Sequence, residues 1–96
     1  MPYSLPLPEP WKSRGWKLKI AEKERLEPPH ATLYFRTCRW RVCLRGGRFL
    51  DPEPDPAYVP RDLVAAVHRE LPVLRAAWDG MYPRNPVWSK PKEALT

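Results

Sequence analysis

Five arginines, Arg36, Arg39, Arg41, Arg45 and Arg48, fall within the stretch RTCRWRVCLRGGRF, and no acid lies between them. Guanidinium forks pair with phosphate oxygens and counterion release drives such pairing, so the chemistry this stretch offers is the holding of a polyanion. Covalent or proton-transfer chemistry is the other candidate. Cys43 alternates with Arg41 and Arg45, and neighbouring cations favour the thiolate that a nucleophile requires. His30 is the imidazole that acid–base cleavage of RNA would use. Which of these is realised depends on the elements that bring the residues together.

ATLYF and CRWRVCLR both alternate apolar with polar residues, the period of half-buried strands. A two-residue turn at Arg36-Thr37 would set Phe35 opposite Cys38, Leu33 opposite Trp40 and Ala31 opposite Val42, all on one apolar side. The same register sets Tyr34 opposite Arg39, Thr32 opposite Arg41 and His30 opposite Cys43 on the other side. Arg-Thr is a poor type I′ pair because both central residues need positive φ, so a longer or bulged turn is the alternative. GWKLKI adds a strand that carries Lys17 and Lys19 to the polar side. Gly46-Gly47 predicts a hairpin turn that would bring Phe49 opposite Leu44.

The open face of the predicted sheet therefore gathers Lys17, Lys19, Tyr34, Arg39, Arg41 and Arg45, with Arg36 and Arg48 at the flanking turns. Tyr34 offers a plane on which a base can stack. Three uses stay open: RNA or DNA binding, an acidic protein partner, and a solvated face whose arginine stems cover apolar surface. Asp51, Glu53 and Asp55 can also fold back from DPEPDPAYVP and screen part of the patch. Otherwise that segment, acids alternating with prolines, reads as a stiff connection leaving the sheet.

At 96 residues the chain has surface to bury for one core and none to spare for a second. Fourteen prolines make much of it extended. Residues 1–14, with Pro2, Pro6, Pro8 and Pro10, are expected as a Pro-rich N-terminal arm that lacks donors a sheet would need. Residues 15–82 are expected as a single domain, and residues 83–96 as an extended tail carrying Trp88. Trp11 and Trp88 either clamp these ends onto the domain or serve as anchors for a partner. Pro60 suits the start of a helix whose apolar stripe runs Val64, Val67, Leu71, Leu74, Trp78 and Met81. Pro72 interrupts this stripe without putting it out of phase, which favours one kinked helix over two crossing ones. The expected fold is α+β, a small antiparallel sheet of three to four strands on a C-terminal helix kinked near Pro72.

The formal charge of +6 is uneven. Residues 1–50 carry eleven Lys/Arg against four Asp/Glu, and residues 51–96 six against seven. The first half is thus the candidate polyanion footprint. No apolar run reaches 18 residues, and MPYSLPLPEPW has neither the charged nor the continuous apolar region of a signal peptide, so no membrane association and a cytoplasmic location are expected. Cys38 and Cys43, five apart on one strand, point to opposite faces and cannot bridge. No zinc-type ligand spacing occurs, and no metal or cofactor is expected.

Pro28-Pro29-His30, then an alternating hairpin, an acidic connection and a helix containing HRELPVLRAAW, resembles the bacterial domain of unknown function 4160 family, whose hallmark is a PPHVHV stretch. The resemblance runs over about residues 15–80 in order of elements, with literal identity at Pro-Pro-His. It implies an α+β domain, a toxin–antitoxin-like gene pair and hence a cognate small protein partner. Thr32 stands where that family usually has a second histidine, so no site built on two imidazoles is implied. The expectation is a non-enzymatic component of a toxin–antitoxin-like or defence module that binds nucleic acid through the basic sheet face. The alternatives are a subunit that docks a partner through its Pro/Trp-rich ends and an RNA-cleaving toxin using His30.

Overall fold

Period-two alternation builds the sheet. In the computed structural model, which describes residues 3–20 and 28–88, the chain forms β1 (Tyr3–Leu5), β2 (Lys17–Ile20), β3 (His30–Phe35) and β4 (Cys38–Cys43). They make one antiparallel sheet in the order β1-β2-β3-β4. The stretch Glu22–Pro29, whose composition predicts a polar turn, falls largely outside the described residues. Pairing of β3 with β4 follows the two-residue-turn register, with Phe35 against Cys38, Leu33 against Trp40 and Ala31 against Val42. At that turn Arg36 has φ 57° while Thr37 does not take a positive φ, which is the demand of a II′ turn rather than I′. The left-handed region costs a residue with a Cβ roughly 1–2 kcal/mol, so the tip of this hairpin is strained.

The described parts of both ends pack onto the domain. Residues 3–5, expected within the N-terminal arm, are an edge strand of the sheet, with Ser4 against Lys19 and Leu5 against Leu18. Pro2 and Pro6 flank these three residues rather than interrupt them, and an edge strand needs donors on one side only. Hydrogen bonds from Trp11 N to Pro8 O (3.0 Å) and Trp16 N to Trp11 O (3.1 Å) then curl the chain, and Leu7 and Trp11 are buried in the core. At the other end, the tail expected from residue 83 closes back on the domain. The Trp78 indole donates to Asn85 O (2.6 Å), Val87 N donates to Asp79 Oδ1 (2.8 Å), and Val87 is fully buried.

The helical region is α1 (Arg61–Arg69) and α2 (Leu71–Met81), meeting at Glu70. The single kinked helix favoured by the in-phase stripe is not what forms. Pro72 lies in the first turn of α2, where its missing N–H would have had no intrahelical acceptor. Both helices still face one core. Leu63 and Val67 of α1 and Leu74 and Trp78 of α2 join Leu18, Ile20, Leu33, Val42 and Leu44 of the sheet. Each fully buried leucine there contributes roughly 1.5–3 kcal/mol by leaving water.

The glycine turn after β4 is wider than a two-residue hairpin. Phe49 bridges to Val42 rather than to Leu44, and Cys43 N donates to Arg48 O (2.7 Å). Side chains from both helices bond the carbonyls of this turn. Arg75 Nε donates to Leu44 O (2.6 Å) and its Nη2 to Arg45 O (3.2 Å), while His68 Nε2 bonds Gly47 O (2.9 Å). Gly47 has φ 79°, and a Cβ there would stand 3.1 Å from His68 Nε2, so glycine is required twice over.

Candidate nucleic-acid interface

Strand register assembles the polar face into two rows. Lys17 pairs with Tyr34, and Tyr34 with Arg39. One step along, Ser4 pairs with Lys19, Lys19 with Thr32, and Thr32 with Arg41. With neighbouring strands ~4.8 Å apart, Lys17 and Arg39 stand roughly 10 Å from each other with the tyrosine between them. Lys17 and Arg39 are exposed and Tyr34 half-buried. The Lys19 ammonium sits 5.7 Å from the Tyr34 ring centre, so a cation already caps part of the aromatic plane.

The second row is partly neutralised from within the chain. Residues 48–51 run beside β4, where Leu50 N donates to Arg41 O (2.8 Å), and this brings the acidic connection back onto the face. It does not leave the sheet. Arg41 donates through Nε to Asp51 Oδ2 (3.0 Å) and through Nη2 to Oδ1 (2.7 Å), and its backbone N–H reaches Oδ2 (3.2 Å). The Arg41 guanidinium holds the Asp51 carboxyl below the usual carboxylate range, its hydrogen bond outweighing desolvation by burial. Asp51 and Glu53 thus share with Thr32, Tyr34, Arg39 and Arg41 a groove of about 470 Å³. Asp55 is used elsewhere, accepting from Ala57 N (2.9 Å) to cap a 3-10 turn at Pro56–Tyr58.

The remaining candidates separate. Arg45 turns its Nε to the carbonyl of Val87, which ties it to the C-terminal segment. Arg36 and Arg48 are exposed, and Arg36 lies over the Phe35 ring at 5.1 Å. His30 does face Cys43 in the register, yet it is 1% exposed, its Nδ1–H donates to Pro28 O (2.8 Å), and its ring lies 5.7 Å from that of Trp78. An imidazole so enclosed cannot reach a phosphodiester, which removes the ground for His30-based RNA cleavage. Alternation places His30 on the polar side, but the end of the sheet is covered by α2 and the residues after it. Cys43 is a half-buried free thiol.

Trp11, offered as a partner anchor, is 9% exposed and belongs to the core. Trp88 is 56% exposed and stacks on the Arg75 guanidinium at 5.3 Å. Arg75 and His68, which the sequence places among solvated residues, bond distant carbonyls, and the sequence does not single out Tyr58. The first two lie on the polar side of the helices, and no periodic signal distinguishes a surface cation from one aimed at a distant carbonyl. Among the described residues no group of three His, Cys, Asp or Glu side chains is placed to hold a metal ion. No helix among them is long and apolar enough to cross a membrane.

Comparison with family models, with curated proteins and with solved structures finds no match to this chain in any of the three.

Proposed function

We propose that this chain is a small non-enzymatic nucleic-acid-binding component, working in the cytoplasm, that takes a single strand of RNA or DNA across the row Lys17, Tyr34 and Arg39. The observation that carries this reading is the row itself: two exposed cations flank an aromatic side chain in strict register over three strands. Among the described residues neither cation has an ion-pair partner. Such a row suits phosphates at its ends and a base on its centre. A single strand is favoured over a duplex because only unstacked bases present a ring face.

The test is a salt titration of RNA affinity with Lys17→Glu combined with Arg39→Glu. Affinity should fall at low salt, and the slope of log K against log salt should shrink by about 1.4, the value for two lost contacts to a single strand. Unchanged affinity across the titration would sink the proposal. A second reading, a subunit that docks a cognate protein as in toxin–antitoxin-like pairs, is favoured by the exposure of Trp88 on an anchored segment. It predicts co-purification of a second small polypeptide that Trp88→Ala abolishes.

A further inference from the structure

Beyond the Arg36-Thr37 turn the groove lined by Arg39, Arg41, Asp51 and Glu53 gives way to a second recess of different chemistry. Its floor is aromatic. Trp16 stacks on Phe35 with ring centres 4.4 Å apart and planes 11° from parallel, and on Trp40 at 5.6 Å and 27°. Tyr58 forms part of the wall and Arg36 part of the rim. The recess measures about 290 Å³, just under the ~300 Å³ at which small-molecule sites begin. That is a place for one ring system and not for a large ligand.

Tyr58 is 74% exposed, but it is not on a loose segment. The Trp40 indole donates to Pro54 O (3.0 Å), Asp55 caps the turn that holds Tyr58, and Val59 is buried just beyond it. A large aromatic is thereby held in water beside other aromatics by a segment anchored on both sides. Thr37 and Cys38 line both this recess and the groove of Arg39, Arg41, Asp51 and Glu53, so the two adjoin at the hairpin tip. Arg36 stands at that tip in a strained backbone conformation, a recurrent mark of binding positions.

We propose that this recess takes one unpaired nucleobase of the strand bound on the basic face, stacked against Tyr58 over the aromatic floor, with Arg36 on a flanking phosphate. The inference rests on the nucleic-acid reading of the row Lys17, Tyr34 and Arg39. Aromatic-lined grooves also receive proline-rich peptides. Here Arg36 beside the recess, and lining shared with the groove that holds Tyr34 and Arg39, match a polyanion that carries flat rings.

The test uses fluorescence anisotropy with two labelled RNA strands of equal length, one bearing bases and one abasic throughout, titrated with the wild-type chain, Tyr58→Ala, and Lys17→Glu/Arg39→Glu. Circular dichroism checks that Tyr58→Ala folds. Tyr58→Ala should bind the base-bearing strand ~10-fold more weakly, with its affinity for the abasic strand and its salt slope unchanged. If Tyr58→Ala binds both strands as the wild type does while the charge-reversed variant loses both, the phosphate row stands and the base recess falls. Equal weakening on both strands by Tyr58→Ala overturns it as well. If the wild-type chain binds neither strand, both readings fail together. Quenching of tryptophan fluorescence by a proline-rich peptide that RNA cannot displace would make the recess a peptide site and overturn the proposal.

Discussion

At the start of β4, beside the Arg36-Thr37 turn, Arg39 stands exposed in line with Tyr34 and Lys17. Past its end, Arg45 reaches the carbonyl of Val87, and Arg75 arrives from α2 to take the carbonyls of Leu44 and Arg45. The two ends carry the same residue type, yet one end presents charge to water and the other uses it to join elements. Arg41, between them, is held by Asp51. What separates the roles is the reach of an acceptor. Chain leaving β4 and chain following α2 expose carbonyls that no ladder satisfies, and a guanidinium with five donors is well suited to them. A count of cations therefore overstates the surface available to a polyanion.

The strongest way to break this comparison is Arg75→Met, which keeps an apolar stem and removes both bonds to carbonyls. It should cost about 2–3 kcal/mol in urea unfolding, the range for hydrogen bonds to a charged group with carbonyls left unpaired. Arg39→Met should stay within about 0.5 kcal/mol. Equal losses would mean that the two ends do not differ.

A smaller effect is expected from Asp51→Asn, about 1 kcal/mol or less near neutral pH, because the pair is partly solvent-screened. The folded-state pKa of Asp51 is lowered, so its contribution is present above the ordinary carboxylate pKa of about 3.9 and is lost as pH falls through the lowered value. Thermal melts at decreasing pH should show that part of the acid limb in the wild type and not in the variant. Matching profiles would rule out the Arg41 contact as its source. By releasing Arg41, the same change should raise RNA affinity at neutral pH.

The smallest effect sharpens the picture of the hairpin tip. Arg36→Gly removes a positive-φ cost of roughly 1–2 kcal/mol and adds a glycine entropy cost of roughly 0.5–1, for a net gain of about 0–1.5 kcal/mol. A loss of stability would show that the Arg36 contact with Phe35 outweighs its backbone strain.

Much of the sheet was legible in advance because its pattern is local. Alternation from Ala31 to Leu44 specifies which side chains share a face, and a one-residue slip would turn every apolar residue to water. The pairing of Tyr34 with Arg39 is a direct product of that constraint, while the β2 register that adds Lys17 to the row comes from the fold. The short strand Tyr3–Leu5 was not legible, since three residues between prolines have no period of their own and pair only because β2 offers an edge. The in-phase helical stripe likewise could not distinguish one kinked helix from two meeting at Glu70.

By itself, then, the sequence determined the register of β3 with β4, the apolar face and the separation of basic from acidic halves, because each follows from side-chain period or charge along a few neighbouring residues. Tertiary structure alone decided which cations stay open. Asp51 lies ten residues from Arg41, Leu44 thirty-one from Arg75 and Val87 forty-two from Arg45. Contacts over such separations depend on where whole elements pack, and the same packing encloses His30 and leaves Tyr58 in water.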